Sequence, residues 1–316
     1  MSAERKRFMK RLLCILILLC LLTGCTAVQP PEAQLTFTDA LGYAVQLSSW
    51  ERVVSLYGSF AECWMLAGGK LVGATEDAVT ERGLMLGEDT AIVGSVIEPN
   101  LEAIIAAQPD FVILSADTAN QVKFHDALTQ AGIPHAYYRV DAFTDYLAML
   151  QQFCSMTDRP DLYQTNGLAV QERIDGVLEV VSGQASPSVL LLRAYSTGVK
   201  AKGADNLTGI MLRDLGAHNI ADIQDSLLES LSLESIIAAD PDYIFVTTMG
   251  SDEAALQNLA ETWQSNPAWA GLRAVKNDRF VVLPKHLFHY KPNADWGESY
   301  AYLAKILYPQ LAGQIQ

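Results

Sequence analysis

Long apolar runs, basic residues and cysteines are all scarce in this chain, and each shortage removes a class of function. The one unbroken apolar stretch, Leu12 to Leu22, is well short of the ~20 residues that a membrane-spanning helix needs. Lys and Arg number 22 against 36 Asp and Glu, a formal net charge of −14 at pH 7, so a nucleic-acid backbone is repelled and not bound. There is no Gly-x-Gly-x-x-Gly fingerprint, no Gly-Lys-Ser/Thr phosphate loop and no Gly-x-Ser-x-Gly elbow. The five cysteines are too scattered for a zinc or iron–sulfur cluster. These gaps weigh against a redox or nucleotide enzyme. A free metal-ion binder fits poorly as well, because it needs several converging His and carboxylate ligands.

What is present begins at the N-terminus. Arg5, Lys6, Arg7, Lys10 and Arg11 precede the apolar run, and Thr23-Gly24-Cys25 follows it, the pattern of a secretory signal over residues 1–24. Leu22-Thr23-Gly24-Cys25 resembles a bacterial lipobox, which implies that Cys25 is diacylated and becomes the new N-terminus. Residues 25–35, with Gln29-Pro30-Pro31, then form a lipidated tether. Loss of the signal removes five basic residues and one acidic one, which takes the net charge from −14 to −18. Acyl chains, not a basic patch, must therefore hold the membrane. Only Cys63 and Cys154 remain to form a disulfide, and Cys63, within the apolar stretch Ala61 to Leu66, reads as a buried thiol.

About 290 residues exceed one typical domain, and the chain repeats itself. Residues 100–114 read NLEAIIAAQPDFVIL and residues 232–246 read SLESIIAADPDYIFV. In both, a helical pattern stops before Pro-Asp and a β-rich run follows. Around each copy, short apolar strands alternate with amphipathic helices. The strands expected are Val53–Leu56, Leu71–Ala74, Phe111–Leu114, Ala136–Tyr138, Val189–Leu192, Tyr243–Thr247 and Phe280–Leu283. This is the signature of an α/β fold with parallel sheets. The expected organisation is an N-terminal Rossmann-like lobe over residues 36–157, a connecting helix over 158–183 and a C-terminal lobe over 184–316. Asp158 caps the connecting helix, Pro160 opens it, and Val170, Ile174, Val177 and Val181 line its apolar face.

Ligands of α/β lobes bind beyond the carboxyl ends of the strands, so the residues that follow each strand are the candidate cleft. They are Tyr57, Gly58, Ser59 and Ser115 from the first lobe, and Arg193, Tyr195, Met249, His286, His289 and Tyr290 from the second. The tyrosines suit a flat or ring-shaped ligand, and Arg193 suits its carboxylates. His286 and His289, three apart, are weak candidates for metal ligation. Trp64 reads as core, while Asn293, Asp295 and Trp296 read as the cap and seat of a last helix, Glu298 to Leu307.

Signal, lipobox, two lobes, helical connector and the paired Leu-Glu elements together resemble the class III periplasmic binding proteins. The resemblance implies no catalysis and no resident cofactor. The cargo would be a siderophore, haem or cobalamin carrying iron or cobalt, captured by a monomer outside the cytoplasm. Delivery would be to an ABC permease dimer with its ATPase subunits. It further implies that Glu102 and Glu234, one per lobe, dock on that permease. Equivalent carboxylates suit a two-fold partner, although both also lie where a carboxylate complements a helix N-terminus. A ligand-sensing lipoprotein of the same fold is the alternative.

Overall fold

The computed structural model describes residues 35–223, 227–228 and 232–316. The signal segment, Cys25 and all but the last residue of the tether lie outside the described residues. Strands β1 (Leu35–Thr38) and β2 (Ala44–Leu47) form an antiparallel hairpin that the strand pattern did not announce. The first lobe then builds a five-stranded, wholly parallel sheet from β3 (Val53–Ser55), β4 (Leu71–Ala74), β5 (Ala91–Ile92), β6 (Phe111–Ser115) and β7 (His135–Tyr138). Its strand order is β5-β4-β3-β6-β7. The second lobe contains β8 (Ser188–Tyr195), β9 (Gly198–Ala201), β10 (His218–Asn219), β11 (Tyr243–Thr248) and β12 (Phe280–Val282). Here β10-β8-β11-β12 run parallel, and β9 turns back antiparallel on β8. The central strands β3, β6 and β11 are buried along their whole length. Strands sealed on both faces by helices need such continuous apolar runs.

The repeated segments fold alike. Helices α2 (Leu101–Ala106) and α5 (Leu233–Ala239) feed β6 and β11. Each ends beside a residue in the left-handed region, Gln108 at φ 48° and Asp240 at φ 39°. The aspartate of each Pro-Asp pair then clamps the neighbouring strand. Asp110 accepts from the amides of Glu51 and Arg52, both at 2.9 Å, and Asp242 accepts from the amide and hydroxyl of Ser188, also at 2.9 Å. Register follows from these clamps, since Val53 pairs with Phe111 and Val189 with Tyr243.

Between the lobes the chain stays helical from Pro160 to Val181, with a π-helical turn at Gln164–Leu168 ahead of α4 (Ala169–Val181). Asp158 does not cap this segment. It adopts φ 54°, and Arg159 stands at the N-cap without a side-chain capping bond. The π turn leaves the Asn166 carbonyl free to accept from Tyr146 Oη at 2.7 Å, on α3 (Phe143–Met156). Gly167 lets the two helices touch, because a Cβ there would sit 2.9 Å from Leu147 Cδ1.

Helix α6 (Trp296–Leu307) begins before the expected Glu298 and packs on α4. One buried apolar cluster runs from Val53, Phe60 and Phe153 through Ile174 and Val177 to Phe245, Trp296 and Leu303. The cores of the two lobes are therefore continuous through the connecting helix, which opposes large hinge motions.

Candidate functional site

The strand ends converge where the lobes meet. Helix α1 (Gly58–Leu66) starts directly after β3, and Tyr57 stands at its N-cap, half-buried. Burial, reinforced by Asp77 and Asp117, pushes the Tyr57 phenol up to about 12, although Arg82 and Arg193 pull the other way. The group stays a neutral donor. Gly58 and Ser59 lie beneath it. The Gly58 amide donates to Asp77 Oδ2 at 2.7 Å, and the Ser59 carbonyl accepts from Asn293 Nδ2 at 2.8 Å. Ser115 is buried, with its amide donating to Gln121 Oε1 and its hydroxyl accepting from the Asp117 amide. Gly58 is required for packing, since a Cβ would come within 2.7 Å of Asp77 Oδ2 and 2.8 Å of the Ala78 nitrogen.

In the second lobe Arg193 and Tyr195 do not follow a strand. They belong to β8, which runs on and pairs with β9, so Arg193 sits opposite Lys200. Lys200, like Arg193, has no ion pair among the described residues. Arg193 is half-buried, reaches only Thr247 Oγ1 at 3.5 Å, and forms no ion pair among the described residues. In so acidic a chain an unpaired, half-buried guanidinium is a conspicuous binding group. Met249, just past β11, is 45% exposed.

The segment after β12 crosses to the first lobe. Tyr290 donates from its hydroxyl to Glu81, Lys291 Nζ lies 3.7 Å from Asp141, and Phe143 meets Trp296 edge-on at 5.9 Å. Asn293 does not cap α6. Its amide bridges the lobes to Ser59 and to Glu62 Oε2, the latter at 2.6 Å. The two histidines of this segment part company. His286 lies exposed on a one-turn helix, Lys285–Phe288, whereas His289 sits past its end and is largely covered, with a buried Nδ1 that has no partner. Desolvation first, then the charges of Arg193 and Lys285, lower the His289 imidazole to about 4. It is neutral at physiological pH. Among the described residues, no group of three or more His, Cys, Asp or Glu comes together as a metal site.

The proposed docking carboxylates are free. In α2 the Asn100 side chain accepts from the Ala103 amide at 3.0 Å, and in α5 the Ser232 hydroxyl accepts from the Ser235 amide at 3.1 Å. Both N-caps are thus occupied by other residues, and neither Glu102 nor Glu234, both exposed, has an ion pair among the described residues.

Residues 53–287 match the family model for the periplasmic binding proteins, from the first strand of one parallel sheet past the last strand of the other. The chain belongs to the periplasmic binding protein family. As in class III members, its lobes are joined by a helix. The haem-uptake protein IsdE of Staphylococcus aureus is 20% identical over 229 residues, covering 70% of this chain and 75% of the relative. The structure of IsdE complexed with heme aligns with a TM-score of 0.69 at 18% identity, covering 82% of this chain and 99% of that one. Staphylococcus aureus SirA, complexed with staphyloferrin B, aligns with a TM-score of 0.66 at 23% identity, covering 88% and 98%. An ABC transporter substrate-binding protein from Listeria monocytogenes gives 0.69 at 20%, covering 83% and 100%.

Within this periplasmic binding protein the sequence reading missed Glu81, Asp141 and Lys291, whose contacts arise only where the lobes meet. It also passed over His125 and His135. Their facing nitrogens lie 2.9 Å apart, and Tyr43 stacks on His125 at 3.7 Å. This pair sits at the amino end of β7, the edge of the sheet opposite the cleft.

Proposed function

We propose that this chain is the extracytoplasmic, Cys25-anchored binding lipoprotein of an ABC importer, that its cargo is haem or a ferric siderophore, and that it has no chemistry of its own. The observation that carries the reading is the unpaired Arg193 facing the cleft with Tyr57 and a neutral His289 close enough to feel its charge. A cation, a protonated phenol and an unprotonated imidazole suit a bulky anionic chelate. The guanidinium takes carboxylate or catecholate oxygens, the phenol stacks or donates, and the imidazole remains free to meet a metal or an acceptor. Tyr195, Met249 and Tyr290 extend this surface, and Glu102 and Glu234 are the contacts to the permease dimer. The likeness to IsdE and SirA, whose structures hold heme and staphyloferrin B, supports the cargo class.

The test is quenching of intrinsic tryptophan and tyrosine fluorescence during titration with haemin, ferric siderophores and cobalamin. Saturable binding of haemin or one ferric chelate is expected. Binding of cobalamin alone would replace the cargo, and binding of none would turn the reading towards a ligand-sensing lipoprotein of the same fold.

A further inference from the structure

The repeat that carries Glu102 and Glu234 carries a second matched feature. Over residues 101–107 and 233–239, burial is the same residue by residue. Leu101 and Leu233 are half-buried, Glu102 and Glu234 exposed, Ala103 and Ser235 half-buried, and Ile104 and Ile236 fully buried. Ile105 and Ile237 then turn outwards, 42% and 39% exposed. Each lies three residues after its glutamate, which puts carboxylate and isoleucine on one helical face.

Neither isoleucine serves its own helix. The core contact is made by Ile104 and Ile236, each wholly buried. An exposed β-branched residue is a poorer helix former than the alanines beside it. One such residue on a surface needs no explanation. Two at equivalent places in lobes of different sequence, each a turn from an unpaired carboxylate with its N-cap already filled, form a matched pair of patches.

We propose that Ile105 and Ile237 are the apolar half of each permease-docking patch. Each receives the hydrocarbon stem of a partner cation whose head engages Glu102 or Glu234. The partner is accordingly a two-fold membrane protein with one long-stemmed basic side chain, lying against apolar surface, in each half. A guanidinium on its methylene stem fits this description, since its head is weakly hydrated and its stem packs on aliphatic carbon. The isoleucine also thins the water around the ion pair and so strengthens it. This inference rests on the docking reading above.

The experiment uses the full chain, added to proteoliposomes that contain its permease and ATPase subunits, and follows the concentration giving half-maximal stimulation of ATP hydrolysis. Ile105→Asn with Ile237→Asn should raise that concentration at least tenfold, and each single change should raise it to a similar, smaller extent. Ile92→Asn, at a still more exposed isoleucine of edge strand β5, should leave it unchanged. If the paired isoleucine variant behaves as wild type while Glu102→Ala with Glu234→Ala loses stimulation, the isoleucine proposal fails and the docking reading stands. If both pairs behave as wild type, the docking reading itself falls. Should the asparagine pair unfold, judged by circular dichroism, Ile105→Thr with Ile237→Thr replaces it with the same expected direction and the same overturning result.

Discussion

Tyr57 and Arg193 stand equally far beyond equivalent valines in the two lobes, Tyr57 already at a helix N-cap and Arg193 still within its strand. Val53 pairs with Phe111 and Val189 with Tyr243, and Tyr57 and Arg193 lie equally far along from those two valines. The phenol of one lobe and the unpaired guanidinium of the other lie close enough for the Arg193 charge to act on Tyr57. Replacing Arg193 by Met keeps the stem and removes the charge. Affinity for haemin or a ferric chelate should fall roughly 10- to 100-fold, the worth of a charge-assisted bond of about 1.5–3 kcal/mol. Fluorescence titration reads this directly, and an unchanged dissociation constant would take Arg193 out of the site.

His289 makes stability depend on pH. In the unfolded chain its imidazole titrates near the ordinary value of about 6.5, whereas in the folded protein it titrates at about 4. Between those values the unfolded state binds a proton that the folded state refuses. The contribution is therefore complete above about pH 6.5 and is lost as pH falls towards 4, by roughly 2–3 kcal/mol. Urea unfolding at pH 7.5 and pH 4.5 should show a larger loss for wild type than for His289→Gln. Equal losses would mean that the imidazole is not held neutral by its surroundings.

Cys63 and Cys154 are unbonded and almost wholly buried. Desolvation raises both thiols, Cys154 to about 11 and Cys63 well above the ordinary thiol range. Neither should react with a maleimide at pH 8 while the protein is folded, and both should react in denaturant. Rapid labelling of the native protein would contradict the packing of α1 against α3.

Gly58→Ala should destabilise the protein by about 1–3 kcal/mol, because the added carbon collides with backbone as well as with the Asp77 carboxylate. Thermal unfolding measures this. Ligand affinity should also drop, since the shift needed to relieve the clash moves Tyr57, the neighbouring residue.

Glu102→Ala with Glu234→Ala should leave haemin or chelate affinity intact and abolish uptake by whole cells. Lost affinity would make the two glutamates structural.

The paired lobes were legible because two physical signals coincide in the chain: helix patterns that stop at Pro-Asp, and strands such as Phe111–Ser115 and Tyr243–Thr248 that must be apolar on both faces. The reach of β8 past Leu192 was not legible, because Arg193 and Tyr195 look like loop residues until β9 is known to pair with them. Asp158 looked like a cap because its side chain suits one, yet it takes a left-handed turn before Pro160. His286 and His289 do not share a helical face, because the helix is a single turn that ends at Phe288, and no local pattern shows where so short a helix stops. Contacts such as Tyr290 with Glu81, and Asn293 with Ser59, join residues more than 200 positions apart. No local pattern announces them.

The π turn at Gln164–Leu168 makes the bearing of the whole second lobe a matter of arithmetic. A π turn holds one residue more than an α turn, and each residue of an α-helix carries the chain through about 100°. Removing one residue there would let the helix close as plain α and leave everything beyond it out of phase with Tyr146 and Leu66, which now grip Asn166. The direction in which Glu234 looks relative to Glu102 is thus set by residue count in a segment that touches neither, and one-residue insertions or deletions between Pro160 and Val181 should be far rarer among relatives than substitutions.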